Sequence, residues 1–90
     1  MKINISGIEF DHCHYDDRGD VLYLSVGQPR EPATGFETTE GHSLEYDENG
    51  NVIGIVLLNV RWTLERKGEL SLTWPPEHLA AGDLAPALAA

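Results

Sequence analysis

Residues 42–58 constrain the fold of this chain more than any other stretch. Leu44 and Tyr46 lead into Asp47-Glu48-Asn49-Gly50-Asn51, and Val52-Ile53-Gly54-Ile55-Val56-Leu57-Leu58 follows. Asn-Gly between two alternating apolar runs predicts a β-hairpin, because both central residues of a type I′ turn need positive φ and this pair adopts it at least cost. With Asn49 and Gly50 as the loop, Tyr46 faces Ile53, Leu44 faces Ile55 and His42 faces Leu57, and these side chains form the face expected to be core. The opposite face pairs Asp47 with Val52, Glu45 with Gly54 and Ser43 with Val56. Its outgoing strand is apolar, so something is expected to cover Val52 and Val56.

Ile8 to Val26 repeats the design around Asp17-Arg18-Gly19. A three-residue loop with Gly19 as the left-handed bulge residue groups Phe10, His12, His14, Leu22, Leu24 and Val26 on one face, leaving Cys13, Tyr15, Val21 and Tyr23 on the other. A four-residue loop from Asp16 to Gly19 would mix charged and apolar groups on both faces, so the shorter loop is expected. Between the hairpins, Gly27 to Gly35 holds two prolines and two glycines and reads as an extended connection.

Beyond Leu58, Asn59 can N-cap a short helix through Trp62, Leu64 and Arg66, with Gly68 at its C-terminal cap and Arg66 and Lys67 suited to the negative helix end. A third hairpin turning at Arg66-Lys67-Gly68 is the alternative. Leu70 to Trp74 alternates as a fifth strand, stopped by Pro75-Pro76. Asp83 is the expected N-cap of a last helix, Leu84 to Ala89, with Pro86 in its first turn and Leu84 and Leu88 as anchors. The fold class is therefore α+β: a small antiparallel or mixed sheet of two β-hairpins plus a fifth strand, with a short helix after the second hairpin and a short C-terminal helix. Residues 1–90 are expected to form a single domain.

Ninety residues can bury roughly 60% of their unfolded surface, so self-association would add stability and a homodimer is expected. Fifteen acidic residues against six basic ones give a net charge of −9, which argues against phosphate-mediated nucleic-acid binding and favours a basic protein partner or a cation. The single cysteine, Cys13, permits no internal disulfide, and the N-terminus lacks the blocks of a signal peptide, so a cytoplasmic location is expected. No apolar run approaches the ~20 residues of a membrane span.

His12-Cys13-His14 is the sharpest chemical feature. On a strand the two histidines project to one face about 7 Å apart, and Asp16, of the same parity, could complete a metal site. Two half-buried polar residues beside a turn are the simpler explanation, since zinc motifs bring more ligands at set spacings, so no metal is assigned, and Cys13 on the other face reads as a small packing residue. Asp16, Asp17 and Asp20 could attract a hard cation. Asp47 to Asn51 is unlike a calcium loop, because Gly50 falls at the fourth position instead of the sixth and Leu58 occupies the twelfth; turn chemistry accounts for these residues. Asp20 and Asp47 could form an acid–base pair only if the fold brought them together. There is no phosphate loop or serine elbow, so no catalytic or cofactor-binding residue and no cofactor is assigned. Trp62 and Trp74 read as core or interface anchors, and Val21, Tyr23, Val52 and Val56 as the candidate interface.

Two segments carry a resemblance: Tyr15-Asp16 with Gly19-Asp20-Val21-Leu22-Tyr23-Leu24, and Leu44 to Gly50 with Val52-Ile53-Gly54-Ile55. They are similar, in this order, to the YuzE-like small bacterial proteins, the domain of unknown function 2283 family. The likeness spans about 14–58 and leaves 59–90 as an extension. It implies a small mixed α/β domain and brings no established activity or catalytic residue with it. It also implies a partner-binding, antitoxin-like role, since such families sit in some genomes near toxin-like genes, although the chain has no basic DNA-binding segment. The leading expectation is a non-catalytic protein–protein interaction module; the alternative is a small metal-dependent or acid–base enzyme using His12, His14 and Asp16.

Overall fold

The computed structural model describes residues 2–73 and 77–89. Its elements are β1 (Ile3–Ile5), β2 (Ile8–Phe10), β3 (His12–Asp16), β4 (Val21–Ser25), β5 (Thr34–Glu37), β6 (Ser43–Tyr46), β7 (Val52–Leu58), α1 (Val60–Lys67), β8 (Glu69–Leu72), β9 (Glu77–Ala80) and α2 (Ala81–Leu88). Five strands form one antiparallel sheet in the order β3-β4-β7-β6-β5, and β1-β2 and β8-β9 form two separate two-stranded ladders. The α+β class holds, and its fifth sheet strand comes from an unexpected place. Thr34–Glu37, within and beyond the stretch read as a connection, pairs with β6, whereas the segment expected as the fifth strand forms β8 and pairs with β9. Trp74, Pro75 and Pro76 lie outside the described residues.

Turn chemistry explains the registers. The two-residue loop with both φ positive occurs at Ser6 (φ 50) and Gly7 (φ 82), joining β1 to β2. At the second expected hairpin Gly50 alone of its pair has positive φ, at 82. The Asp47 carboxylate accepts the amides of Asn49 and Asn51, both at 2.9 Å, and Asp47 N–H donates to the Asn51 carbonyl, which makes Glu48-Asn49-Gly50 a three-residue loop. That loop shifts the pairing by one, to Tyr46 opposite Val52, and a bulge between Glu45 and Tyr46 restores Glu45 opposite Gly54 and Leu44 opposite Ile55. Val52 consequently packs against the core cluster, a correction to its expected place beside Val56.

The first sheet hairpin also differs from expectation. Asp16 pairs with Val21 across the four-residue loop Asp17–Asp20, and the left-handed residue is Asp20 (φ 56), not Gly19. Cys13 and Tyr15 therefore share the core side with Leu22 and Leu24, and His12 and His14 lie with Ser25 and Tyr23 on the other. The cause is tertiary. Asp20 Oδ1 accepts the Arg61 amide at 2.9 Å and the Tyr15 hydroxyl at 2.7 Å, while Oδ2 accepts the Trp62 amide at 3.0 Å. The first amides of α1 are thus capped by a residue some forty positions away, as Asn59 makes no side-chain cap.

Helix α1 ends as expected at Gly68, whose φ of 78 accommodates the left-handed cap, so Arg66-Lys67-Gly68 turns no hairpin. In α2 Asp83 sits inside the first turn and not at the N-cap, its carboxylate accepting the Ala80 amide at 2.8 Å. One apolar cluster unites β1, β2, both helices and the β8-β9 ladder with Leu22, Leu24, Leu44, Ile55 and Leu57 of the sheet. Every added element among the described residues therefore lies on the same side of the sheet, and none of these elements covers the other side.

Candidate functional site

The bare side is crossed by rows of side chains that the strand pairing sets in line. The first row is His12, Ser25, Gly54, Glu45 and Gly35; the second is His14, Tyr23, Val56, Ser43 and Glu37; a shorter third is Asp16, Val21 and Leu58. Rows two residues apart on one face stand about 7 Å from each other. Because the first row has the small Ser25 side chain where the second has the Tyr23 phenol, a groove runs beside a ridge. The groove is a depression of about 290 Å³ with Ile53 in its wall and Pro29 and Arg30 of the β4–β5 connection at its margin.

A Cβ at Gly54 would lie 2.5 Å from Glu45 Oε1 and 3.3 Å from the Leu24 carbonyl oxygen, so the Glu45 side chain folds over Gly54 and covers it. On the ridge, the Tyr23 ring is 44% exposed and stacks with His14 at a centroid distance of 6.0 Å. His12 is held at the groove's end, its Nδ1 3.1 Å from Asp11 Oδ1. Asp11 also accepts the Gly27 amide at 2.8 Å, and this bond, followed by the one to His12, holds its carboxyl below the ordinary carboxylate value. Arg30 reaches Asp47, 3.6 Å away, and leaves most of its guanidinium exposed at the rim.

The candidate residues are thus distributed unevenly. Val21, Tyr23 and Val56 share the open face; Val52 does not. His12, His14 and Asp16 share it too, spaced along β3, but His12 is engaged by Asp11 and His14 by Tyr23. Among the described residues no group of three His, Cys, Asp or Glu side chains is placed to hold a metal ion. Asp20 and Asp47 serve different turns and are not brought together as an acid–base pair. Ser25, Glu45 and Gly54 were not singled out in the sequence, although glycine inside an apolar strand is itself a signal for close approach.

Two other clusters complete the polar inventory. Burial pushes the Tyr15 hydroxyl up, to about 12, with its bond to Asp20 adding to the effect, and the Arg61 guanidinium lies over the Tyr15 ring at 4.9 Å. For Asp20, burial works to raise the carboxyl and is outweighed by the bonds from Tyr15, Trp62 and Arg61, which together hold it below its usual value. At the far end of the sheet His42 is 5% exposed, and its Nδ1 accepts the Leu58 amide at 3.0 Å. Burial pushes the imidazole below its ordinary value, opposed by Glu40. Trp62, 51% exposed, is covered on one face by the Arg66 guanidinium at 4.3 Å and packs no core.

The fold and this surface define a small α+β protein whose central sheet is covered, among the described residues, on one face. The chain belongs to the family described as protein of unknown function (DUF2283), whose sequence pattern matches residues 12–61. No curated protein and no solved structure matches the chain. The matched residues comprise the β3-β4-β7-β6-β5 sheet and the first two residues of α1, and hence the open face of the sheet together with Asp20 and Arg61 of the helix cap.

Proposed function

We propose that this protein is a non-catalytic protein–protein interaction module whose working surface is the open face of the five-stranded sheet. The observation that supports this reading is the one-sided arrangement: both helices and both ladders share a single core with the sheet, while Val21, Tyr23 and Val56 are left on the opposite face. A half-apolar antiparallel face without a covering layer is characteristic of an interaction surface. Tyr23, with His14 stacked on it, supplies a rigid aromatic anchor of the kind that dominates interface energetics. The net charge of −9 keeps such a protein soluble while it presents this strip, and disfavours polyanionic partners.

Photo-crosslinking tests the reading. A benzoylphenylalanine placed at Tyr23 should give, in the native cell, a discrete adduct with one protein, and the same group placed at Trp62 should give none of that product. A Tyr23 probe that yields only a diffuse background, or the same adducts from both positions, would refute the assignment of this face.

A further inference from the structure

The five-stranded sheet has an open edge at β5. All four residues of that strand, Thr34–Glu37, are exposed, and among the described residues β6 is the one strand paired with it. The opposite edge strand, β3, is half-buried along its length apart from His14, and α2 packs against it. The β5–β6 ladder fixes where the remaining backbone groups of β5 point. Thr38 N–H donates to the His42 carbonyl at 2.7 Å, and Ala33 N–H to the Tyr46 carbonyl at 2.9 Å. Hydrogen-bonded pairs alternate along an antiparallel ladder. With Thr34 opposite Tyr46 and Phe36 opposite Leu44, these two residues direct their amides and carbonyls to β6, and Gly35 and Glu37 direct theirs outward. Edges are commonly blunted by lysine or proline, and Gly35-Phe36-Glu37 contains neither.

We infer that the occupant of this edge is a second copy of this chain, its β5 running antiparallel to the first about a two-fold axis that stands normal to the sheet at Phe36. In that register Gly35 of each copy lies opposite Glu37 of the other, and the outward amides and carbonyls of both residues bond in two reciprocal pairs. Phe36 meets the partner's Phe36 between them, in the closer, non-hydrogen-bonded position. Cross-strand partners share a face, so both rings lie on the Leu44 side of the sheet, beside the depression lined by Thr34 and Tyr46. Phe36 is otherwise left 51% exposed, and directly opposed aromatic pairs are favourable cross-strand combinations.

Charge selects this register and suits it to a copy of the same chain. Glu37 is the one charged residue of β5. Centring the pair on Glu37 would set carboxylate against carboxylate, which is destabilising. Centring it on Gly35 would bring Glu37 opposite Ala33, whose amide is already engaged by Tyr46. The Phe36-centred pairing uses every outward group, sets each carboxylate opposite a residue without a side chain and covers the exposed ring. The interface is isologous and closes at two copies, because β5 has one free side. An axis normal to the sheet does not turn it over, so the open faces of both copies lie side by side and remain uncovered; the inference does not depend on what binds them. An edge contact of about four residues a side removes on the order of 600 Å² of accessible surface, below the standard size of a lasting complex, so dissociation on the order of 100 μM is expected.

Wild-type protein should sediment mostly as a dimer at roughly 1 mM and as a monomer below about 10 μM. Gly35→Pro removes an outward N–H from each copy and leaves the bonds to β6 in place, and a Cβ there lies 3.5 Å from the Leu44 carbonyl oxygen, an ordinary contact. It should weaken association at least about tenfold, with the circular dichroism of the monomer unchanged. Phe36→Ala, which asks nothing of the backbone, should weaken it about fivefold or more. In a mixed isotope-labelled sample of the concentrated wild type, the Phe36 α-proton should show a contact with the α-proton of the partner's Phe36, the mark of a non-hydrogen-bonded antiparallel pair. A monomer at roughly 1 mM, a dimer that either variant leaves intact, or a dimer whose α-proton contact joins other residues overturns the inference. If Gly35→Pro fails to fold, Phe36→Ala and the α-proton contact decide it.

Discussion

Replacing Asp20 with alanine should be among the most damaging single changes outside the apolar core. Its carboxylate accepts three hydrogen bonds, from the amides of Arg61 and Trp62 and from the Tyr15 hydroxyl. Losing the cap of a helix costs about 1–2 kcal/mol. Depriving the part-buried phenol of its partner adds about 1 kcal/mol, and placing alanine at φ 56 in place of a residue tolerant of left-handed geometry adds up to about 1 kcal/mol. The total of about 2–4 kcal/mol is a large share of the roughly 5–13 kcal/mol expected for a domain of this size. At about 4–8 °C per kcal/mol, thermal unfolding followed by circular dichroism at neutral pH should shift down by roughly 10–30 °C. Asp20→Asn, which tolerates the backbone conformation and retains one acceptor, should lose less than half as much, and Tyr15→Phe about 1 kcal/mol. The stabilisation carried by the carboxyl should persist above its unfolded pKa and disappear as pH falls through the depressed folded value, so the Asp20→Asn deficit should shrink in acid. A loss of under about 0.5 kcal/mol in Asp20→Ala, the range of ordinary surface substitutions, would show that α1 does not depend on this cap.

Three further outcomes follow from single contacts. His42 should give an acid-labile component of stability: the unfolded chain takes up the proton first, so stability is level above about pH 6.5 and falls as pH drops toward the depressed folded pKa, and urea titrations should show the wild-type advantage over His42→Gln declining across that window. Tyr15 should show the mirror effect in alkali, with stability lost between pH 10 and about 12 and a phenol absorbance transition near the upper value that is absent in Tyr15→Phe. Leu70, with no exposed area, should cost about 2–5 kcal/mol on truncation to alanine; a negligible loss in denaturant midpoint would mean that the β8-β9 ladder is not part of the core.

The legible parts of this fold are those in which a local pattern and its tertiary use coincide. Alternation placed Val21–Ser25 and Val52–Leu58 in strands, and Asn59 and Gly68 bracketed α1. The four residues of β5 contain a glycine, follow two prolines and are exposed throughout, so no periodicity marks them; the strand exists because β6 offers it an edge. Leu70 and Leu72 announced a strand, but alternation specifies a face and not a neighbour. The registers escaped for a sharper reason. Asp20 looked like one more turn acid, and its real work is at a helix forty residues away, which lengthens the loop and reverses which side His12 and His14 occupy. Similarly, the groove brings His12 and Ser25 together with Glu45 from across the sheet, a long-range match that short-range turn chemistry does not contain.

The central pair of the sheet, Val21 opposite Leu58 through Ser25 opposite Gly54, joins two halves of the chain that touch through little continuous backbone. The first half supplies β1 to β4, the second β5 onward, and the Gly27–Ala33 connection between them belongs to no strand. The halves hold each other by the β4–β7 ladder, by the shared core and by the Asp20 cap on α1. The chain is therefore a natural split protein: cut at Pro29-Arg30, two separately unstructured fragments should recombine on mixing and recover the native circular dichroism, with the affinity of that reassembly reporting directly on how tightly the two hairpins clasp.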